Sequence, residues 1–241
     1  MKNSLRLILT IILWVCIYFL AVFVIPPVSF IAGFIKSHAW ISNGDVSQIT
    51  FLITSLILMY LLSKGKLSTF GFQSVKISKL AKSVLIAFIF SFVLIVLNII
   101  MMAIAGPATE GGEHPGINGG MLKTIISVWI LASICEEIFC RGLIQGFLAP
   151  LKKYGFKLFK SYISVPVAVS AILFGLGHFC LWGRMPNAMV IFIIINATIL
   201  GIIAGYHREK TGSIIPAIAV HMTFNIVGFM IPMLLMKVMM G

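Results

Sequence analysis

Charge is what this chain has least of. Of 241 residues only 10% are Asp, Glu, Lys or Arg, while 60% are hydrophobic. A soluble domain carries about 25% charged and 45–50% apolar residues, so a water-soluble globule is excluded. Acid is scarcer than base, with six acidic residues against 18 basic ones. Asp45 is the single aspartate, which excludes an intramembrane pair of catalytic aspartates. The four cysteines, Cys16, Cys135, Cys140 and Cys180, all lie in apolar runs without CxxC spacing. They read as small packing residues rather than disulfides or metal ligands. HExxH is absent, and with it the usual zinc-protease helix; GxSxG is absent too. The length leaves no room for a second sizeable domain.

What remains is apolar, with a mean hydropathy of +1.12. The pattern predicts an all-α, polytopic transmembrane helical bundle of about seven spans, within a range of six to eight. The expected spans are Leu7–Val24, Ile49–Leu62, Val84–Ala105, Leu122–Leu148, Val165–Trp182, Ala188–Tyr206 and Ile214–Pro232. The first run is too long for a signal-peptide core, and Pro26-Pro27 is expected to end or kink it. The last nine residues either prolong the seventh span or form a short eighth element. Within one membrane domain, residues 1–120 read as N-terminal helices and 121–241 as the functional core. The Lys152–Lys160 stretch, with Tyr154, Phe156 and Phe159 among its lysines, reads as a short interfacial segment.

A net charge of +12 could suggest nucleic acid, but no basic-aromatic module is present. Thirteen of the 18 Lys and Arg residues fall at the N-terminus and in the loops after spans two, four and six. Basic loops are retained in the cytoplasm, so the alternation predicts an integral protein of the cell membrane with a cytoplasmic N-terminus.

Against this background one stretch stands out: Ser133–Gly146, SICEEIFCRGLIQG. It places Glu136, Glu137 and Arg141 inside an apolar run, where ionisable groups are costly and mark function. On a helix, Glu137 and Arg141 share a face at i,i+4. Glu136, one residue earlier, points about 100° away, on the side of Cys140. Glu137–Arg141 therefore reads as a support pair and Glu136 as the carboxylate available for chemistry. The plainer alternative, a polar lock between helices, has no use for a second carboxylate.

Two further spans carry polar groups at helical spacing. Phe174-Gly-Leu-Gly-His178 puts Phe174 and His178 on one face, and Gly175 and Gly177 let a neighbouring helix approach. His221-Met-Thr-Phe-Asn225 repeats the spacing. A lone intramembrane histidine usually makes an interhelical hydrogen bond. With Glu136, however, three helices offer a carboxylate, two imidazoles and an amide to one cavity, a set sufficient for water activation and oxyanion stabilisation. Asn98, Ser170 and Asn196 read as helix–helix hydrogen bonds. His38, His114 and His207 lie in or beside loops and receive no role. Cys180 is two residues from His178 and so not on its face.

EExxxR, FxxxH and HxxxN, in that order on successive motif-bearing helices, resemble the CAAX-processing and bacteriocin-processing (CPBP, or Abi) family of intramembrane proteases. The likeness covers about Ser133–Asn225. It implies that Glu136 and His178 activate a water, and that His221 and Asn225 hold the oxyanion, with Glu137, Arg141 and Phe174 in support. Members of the family are described both as metalloproteases and as metal-free glutamate proteases. The reading preferred here requires no cofactor. The alternative is one divalent ion such as zinc, on Glu136, His178 and His221. The implied partners are a peptide or lipidated-peptide substrate and membrane lipid, with no nucleic acid. Two other classes compete: a non-catalytic immunity or scaffold protein that keeps the polar site for binding, and a proton-coupled transporter. The transporter reading expects paired repeats and broken helices in both halves, whereas the polar groups here concentrate in the second.

Overall fold

The structure, a computed structural model, describes residues 2–31, 40–105 and 120–240. His38 and His114 lie outside them. Seven helices form among these residues: α1 (3–31), α2 (Asn43–Ser63), α3 (Ile77–Ala105), α4 (120–147), α5 (Val165–Gly177), α6 (Asn187–Thr211) and α7 (Ile215–Met240). Five of them, α1, α2, α3, α6 and α7, are long and apolar enough to cross a membrane. The chain is thus an all-α helical bundle, as its apolar runs predict.

Several boundaries differ from expectation. Pro26-Pro27 does not end α1, which runs on to Ile31 after a π-helical stretch at Leu20–Val24. A proline lacks an N–H, and a wider turn just before it re-routes the backbone bonds it cannot make. Among the described residues, α7 continues through Pro232 to Met240, the first of the two alternatives expected for the C-terminal stretch. The Lys152–Lys160 segment contributes β1 (Gly155–Leu158) to an antiparallel hairpin whose second strand is β2 (Ser161–Ser164). Ser164 then caps α5, its hydroxyl accepting from the Val167 N–H, with Pro166 in the first turn, where a missing N–H costs nothing.

α4 is the irregular helix. Its backbone is π-helical over Thr124–Ala132 and again over Ile138–Ile144, with ordinary α-helix at Ser133–Glu137 between them. Such π segments gather at functional sites, because they re-aim side chains that regular spacing would place elsewhere.

α5 and α6 pack most closely, α7 lies against α3 and α6, and α2 lies along α4. Small residues allow this. A Cβ on Gly175 would overlap the Thr198 hydroxyl of α6, and one on Gly201 would come within 2.9 Å of Ala171 Cα of α5. Ser170 and Asn196 depart from the interhelical role expected of them. Each bonds back to its own helix, at Val167 O and Phe192 O, because a short polar side chain satisfies itself one turn earlier at no cost in packing.

The basic loops gather at one end of the bundle. Arg6 donates to Phe147 O at 2.6 Å, joining the start of α1 to the end of α4. The Ile214 N–H donates to Gly71 O at 2.9 Å, joining the loop after α6 to the loop after α2. Ser164 donates to Glu209 at 2.6 Å. His207 is buried in α6 rather than beside a loop and is hydrogen-bonded to Ser83 Oγ at 2.9 Å.

Candidate active site

The site is built around α4. Glu137 is fully buried, and its Oε1 accepts from Arg141 Nη1 at 2.9 Å. This is the i,i+4 pair that the spacing requires. Arg141 is also fully buried. Its guanidinium lies over the Phe174 ring, 4.6 Å from the centroid, so the aromatic face of α5 carries part of the charge that Glu137 does not neutralise. Gly201 of α6 gives it room, since a Cβ there would come 2.7 Å from Arg141 Nη2.

Glu137 has a second partner that spacing alone did not reveal. His221 Nδ1, from α7, lies 2.9 Å from the same Oε1. A carboxylate oxygen only accepts, so His221 carries its hydrogen on Nδ1 when it makes this bond, and Nε2 faces the other way. There it lies 3.8 Å from Glu136 Oε2. The two glutamates therefore address opposite edges of one imidazole. The ring of α7 and an amide of α2 both reach Glu136. Gln48 Nε2 donates to Glu136 Oε1 at 2.6 Å. Glu136 stays 20% exposed where Glu137 is sealed.

His178 stands at the end of α5, where the helix gives way to the 3-10 turn His178–Leu181. Its Nδ1 is 3.2 Å from the Phe174 carbonyl oxygen, which fixes the Nδ1–H tautomer and leaves Nε2 as an acceptor. The Phe174 ring receives His178 and His221 edge to face, with centroids 5.3 Å and 5.5 Å away. One phenyl ring thus spaces the two imidazoles. Tyr18 of α1 donates to Gly177 O, which steadies the end of α5 from outside.

Asn225, one turn after His221, spends both amide hydrogens on α4: on Val128 O at 3.0 Å and on Ser133 Oγ at 3.1 Å. It ties α7 to α4 across the π segment. Glu136, Glu137, Arg141, Phe174, His178 and His221 come together, and Asn225 anchors the helix that brings His221.

Gln48 and Tyr18 are not singled out by the sequence, since the second span is expected to begin at Ile49 and Tyr18 sits inside the apolar first run. The available signal was an amide one turn inside an apolar helix.

Among the described residues, no three His, Cys, Asp or Glu side chains form a group that could hold a metal ion. His221 Nδ1 is taken by Glu137 and His178 Nδ1 by a backbone carbonyl. The Nε2 atoms left free on both rings, with Glu136, are the donors a divalent ion would take; no step below passes through a metal.

Fold and site together define a polytopic helical membrane protein with a buried carboxylate–imidazole centre. Residues 118–227, which hold all three motifs, match the family described as type II CAAX prenyl endopeptidase Rce1-like. Over this segment the chain is similar to CAAX-type prenyl endopeptidases of that family. No curated protein and no solved structure matches it.

Proposed function

We propose that the chain is an intramembrane endopeptidase that hydrolyses a peptide bond with a water activated by Glu136. The observation that carries the reading is the asymmetry of the two glutamates: both face His221, yet only Glu136 keeps open access. A general base has to reach the proton it removes, and Glu137, sealed by Arg141 and His221, has no free path to one.

Glu136 Oε2 takes one proton from water, while His178 Nε2 accepts a hydrogen bond from the remaining O–H and so orients the attacking lone pair. The water oxygen forms a bond to the carbonyl carbon, whose π electrons move to oxygen. His221 donates Nε2–H to that oxyanion when both of its ring nitrogens carry hydrogen; one such donor is worth about 3 kcal/mol. Asn225 supplies a second hydrogen bond when its amide leaves Ser133. The C–N bond then breaks, Glu136 returns the proton to the leaving nitrogen, and an amine and a new carboxyl group result. Arg141 offsets Glu137 and limits the negative charge of the cavity.

The substrate class is a membrane-delivered peptide, and a prenylated C-terminal CAAX peptide is the first probe. Purified protein in detergent should cleave an internally quenched peptide of this kind, and Glu136→Gln should abolish cleavage while accumulating normally. Cleavage by Glu136→Gln at the rate of the intact protein would sink the proposal.

A further inference from the structure

We propose that Gln48, on a helix outside the family-matched segment, is a positioning residue for the base: it holds Glu136 Oε1 and leaves Oε2 as the proton acceptor. This rests on the functional reading given above.

α2 is registered on α4 at several points. Its start is fixed by a capping box, in which Asp45 accepts from the Ser42 N–H at 2.8 Å and the Ser42 hydroxyl accepts from the Asp45 N–H at 3.2 Å. Three residues after Gln48, the Phe51 ring stacks on Phe139 with centroids 4.8 Å apart. Farther along, Met59 fills the space left by Gly142, where a Cβ would come 3.2 Å from its sulfur. Gln48, Phe51, Ser55 and Met59 follow one helical stripe. Their partners Glu136, Phe139 and Gly142 follow in the same order, so α2 and α4 run parallel. Among the described residues, the Gln48 amide is thereby delivered to Glu136 and to no other group.

Its orientation is set by chemistry. A carboxylate accepts and does not donate, so the amide nitrogen has to face it. Among the described residues, the amide oxygen then lies buried without a partner. A buried unpaired acceptor is destabilising, and a methionine of the same length would pack there without that cost. A residue retained for packing alone would not be an amide. The other groups near Glu136 are His221 on α7, Tyr18 on α1, and Cys135 and Cys140 on its own helix, and among the described residues none of them hydrogen-bonds Oε1.

The test is Gln48→Met with Gln48→Glu beside it, assayed on the quenched prenylated CAAX peptide, with detergent melting temperatures measured in parallel. The expected result for Gln48→Met is a melting temperature equal to or above that of the intact protein, with kcat lowered up to about a hundredfold and KM unchanged. Gln48→Glu keeps the length but offers no N–H, and it should lose kcat at least as far. A Gln48→Met protein with the original kcat overturns the proposal. So does one whose kcat is retained while KM rises, since that marks a substrate contact. A loss of activity that only follows a loss of melting temperature in both variants overturns it as well. If Gln48→Met does not accumulate, Gln48→Glu carries the same kcat and KM comparison. The functional reading is tested separately by Glu136→Gln: if that variant is inactive and Gln48→Met fully active, Gln48 alone loses its role. If the intact protein leaves the probe uncut, the functional reading falls and this inference with it.

Discussion

His221 Nδ1 lies 2.9 Å from Glu137 Oε1, and neither side chain is more than 5% exposed. This contact joins α7 to α4 inside the bundle and turns the other edge of the imidazole toward Glu136. Arg141 binds the same oxygen. Glu137 is thus a hinge between a cation and an imidazole, and its loss should reach both stability and the site.

Glu137→Gln leaves Arg141 buried without its counter-charge, which should cost about 3–5 kcal/mol. Membrane abundance and the detergent melting temperature should both fall. A second change, Arg141→Gln, should restore part of the stability but no activity, because His221 has still lost its carboxylate. A well-folded, fully active Glu137→Gln protein would show that the pair has neither role.

Metal removal should leave cleavage unchanged. The described donors do not converge on an ion site, and Glu136 acts on water directly in the proposed reaction. The measurement is the rate on the quenched peptide before and after dialysis against EDTA and 1,10-phenanthroline, with zinc added back. A rate that collapses and returns with zinc would replace Glu136 as base with Glu136 as ligand.

Gly201→Ala should destabilise the bundle by about 1–3 kcal/mol. Its Cβ would crowd Arg141 Nη2 at 2.7 Å and Ala171 Cα at 2.9 Å. The backbone of α5 cannot yield as a surface side chain can, so either α5 and α6 separate or Arg141 moves off Phe174. Thermal unfolding in detergent reads the effect. Gly228, where a Cβ would have no atom within 4 Å, is the control and should accept alanine without such a loss.

Reporter fusions in the Lys64–Lys82, Lys152–Lys160 and Arg208–Lys210 loops should all report the cytoplasm, together with the N-terminus. These segments meet at one end of the bundle through Arg6–Phe147, Ile214–Gly71 and Ser164–Glu209, and basic loops are retained on the cytoplasmic side. A Lys152–Lys160 fusion reporting the outside would overturn the orientation.

The sequence by itself determined the class of fold and the i,i+4 geometry within single helices. Seven apolar runs, interrupted where lysines cluster, leave no other way to satisfy the backbone in lipid. Glu137–Arg141 and Phe174–His178 follow from the turn of a helix, and the family resemblance rests on motifs of this local kind. Tertiary structure decided what crosses between helices. That His221 would take Glu137 with one nitrogen and face Glu136 with the other depends on how α7 meets α4, and no residue spacing encodes that distance. The π segments of α4 were equally hidden, because spacing arguments assume 3.6 residues per turn throughout. Asn225 was legible as a polar residue but not as a clamp on Val128 and Ser133. Gln48, 88 positions from Glu136, could be joined to it only by packing. Its place depends on Phe51 stacking on Phe139 and Met59 filling the gap at Gly142, contacts that exist once the two helices lie side by side.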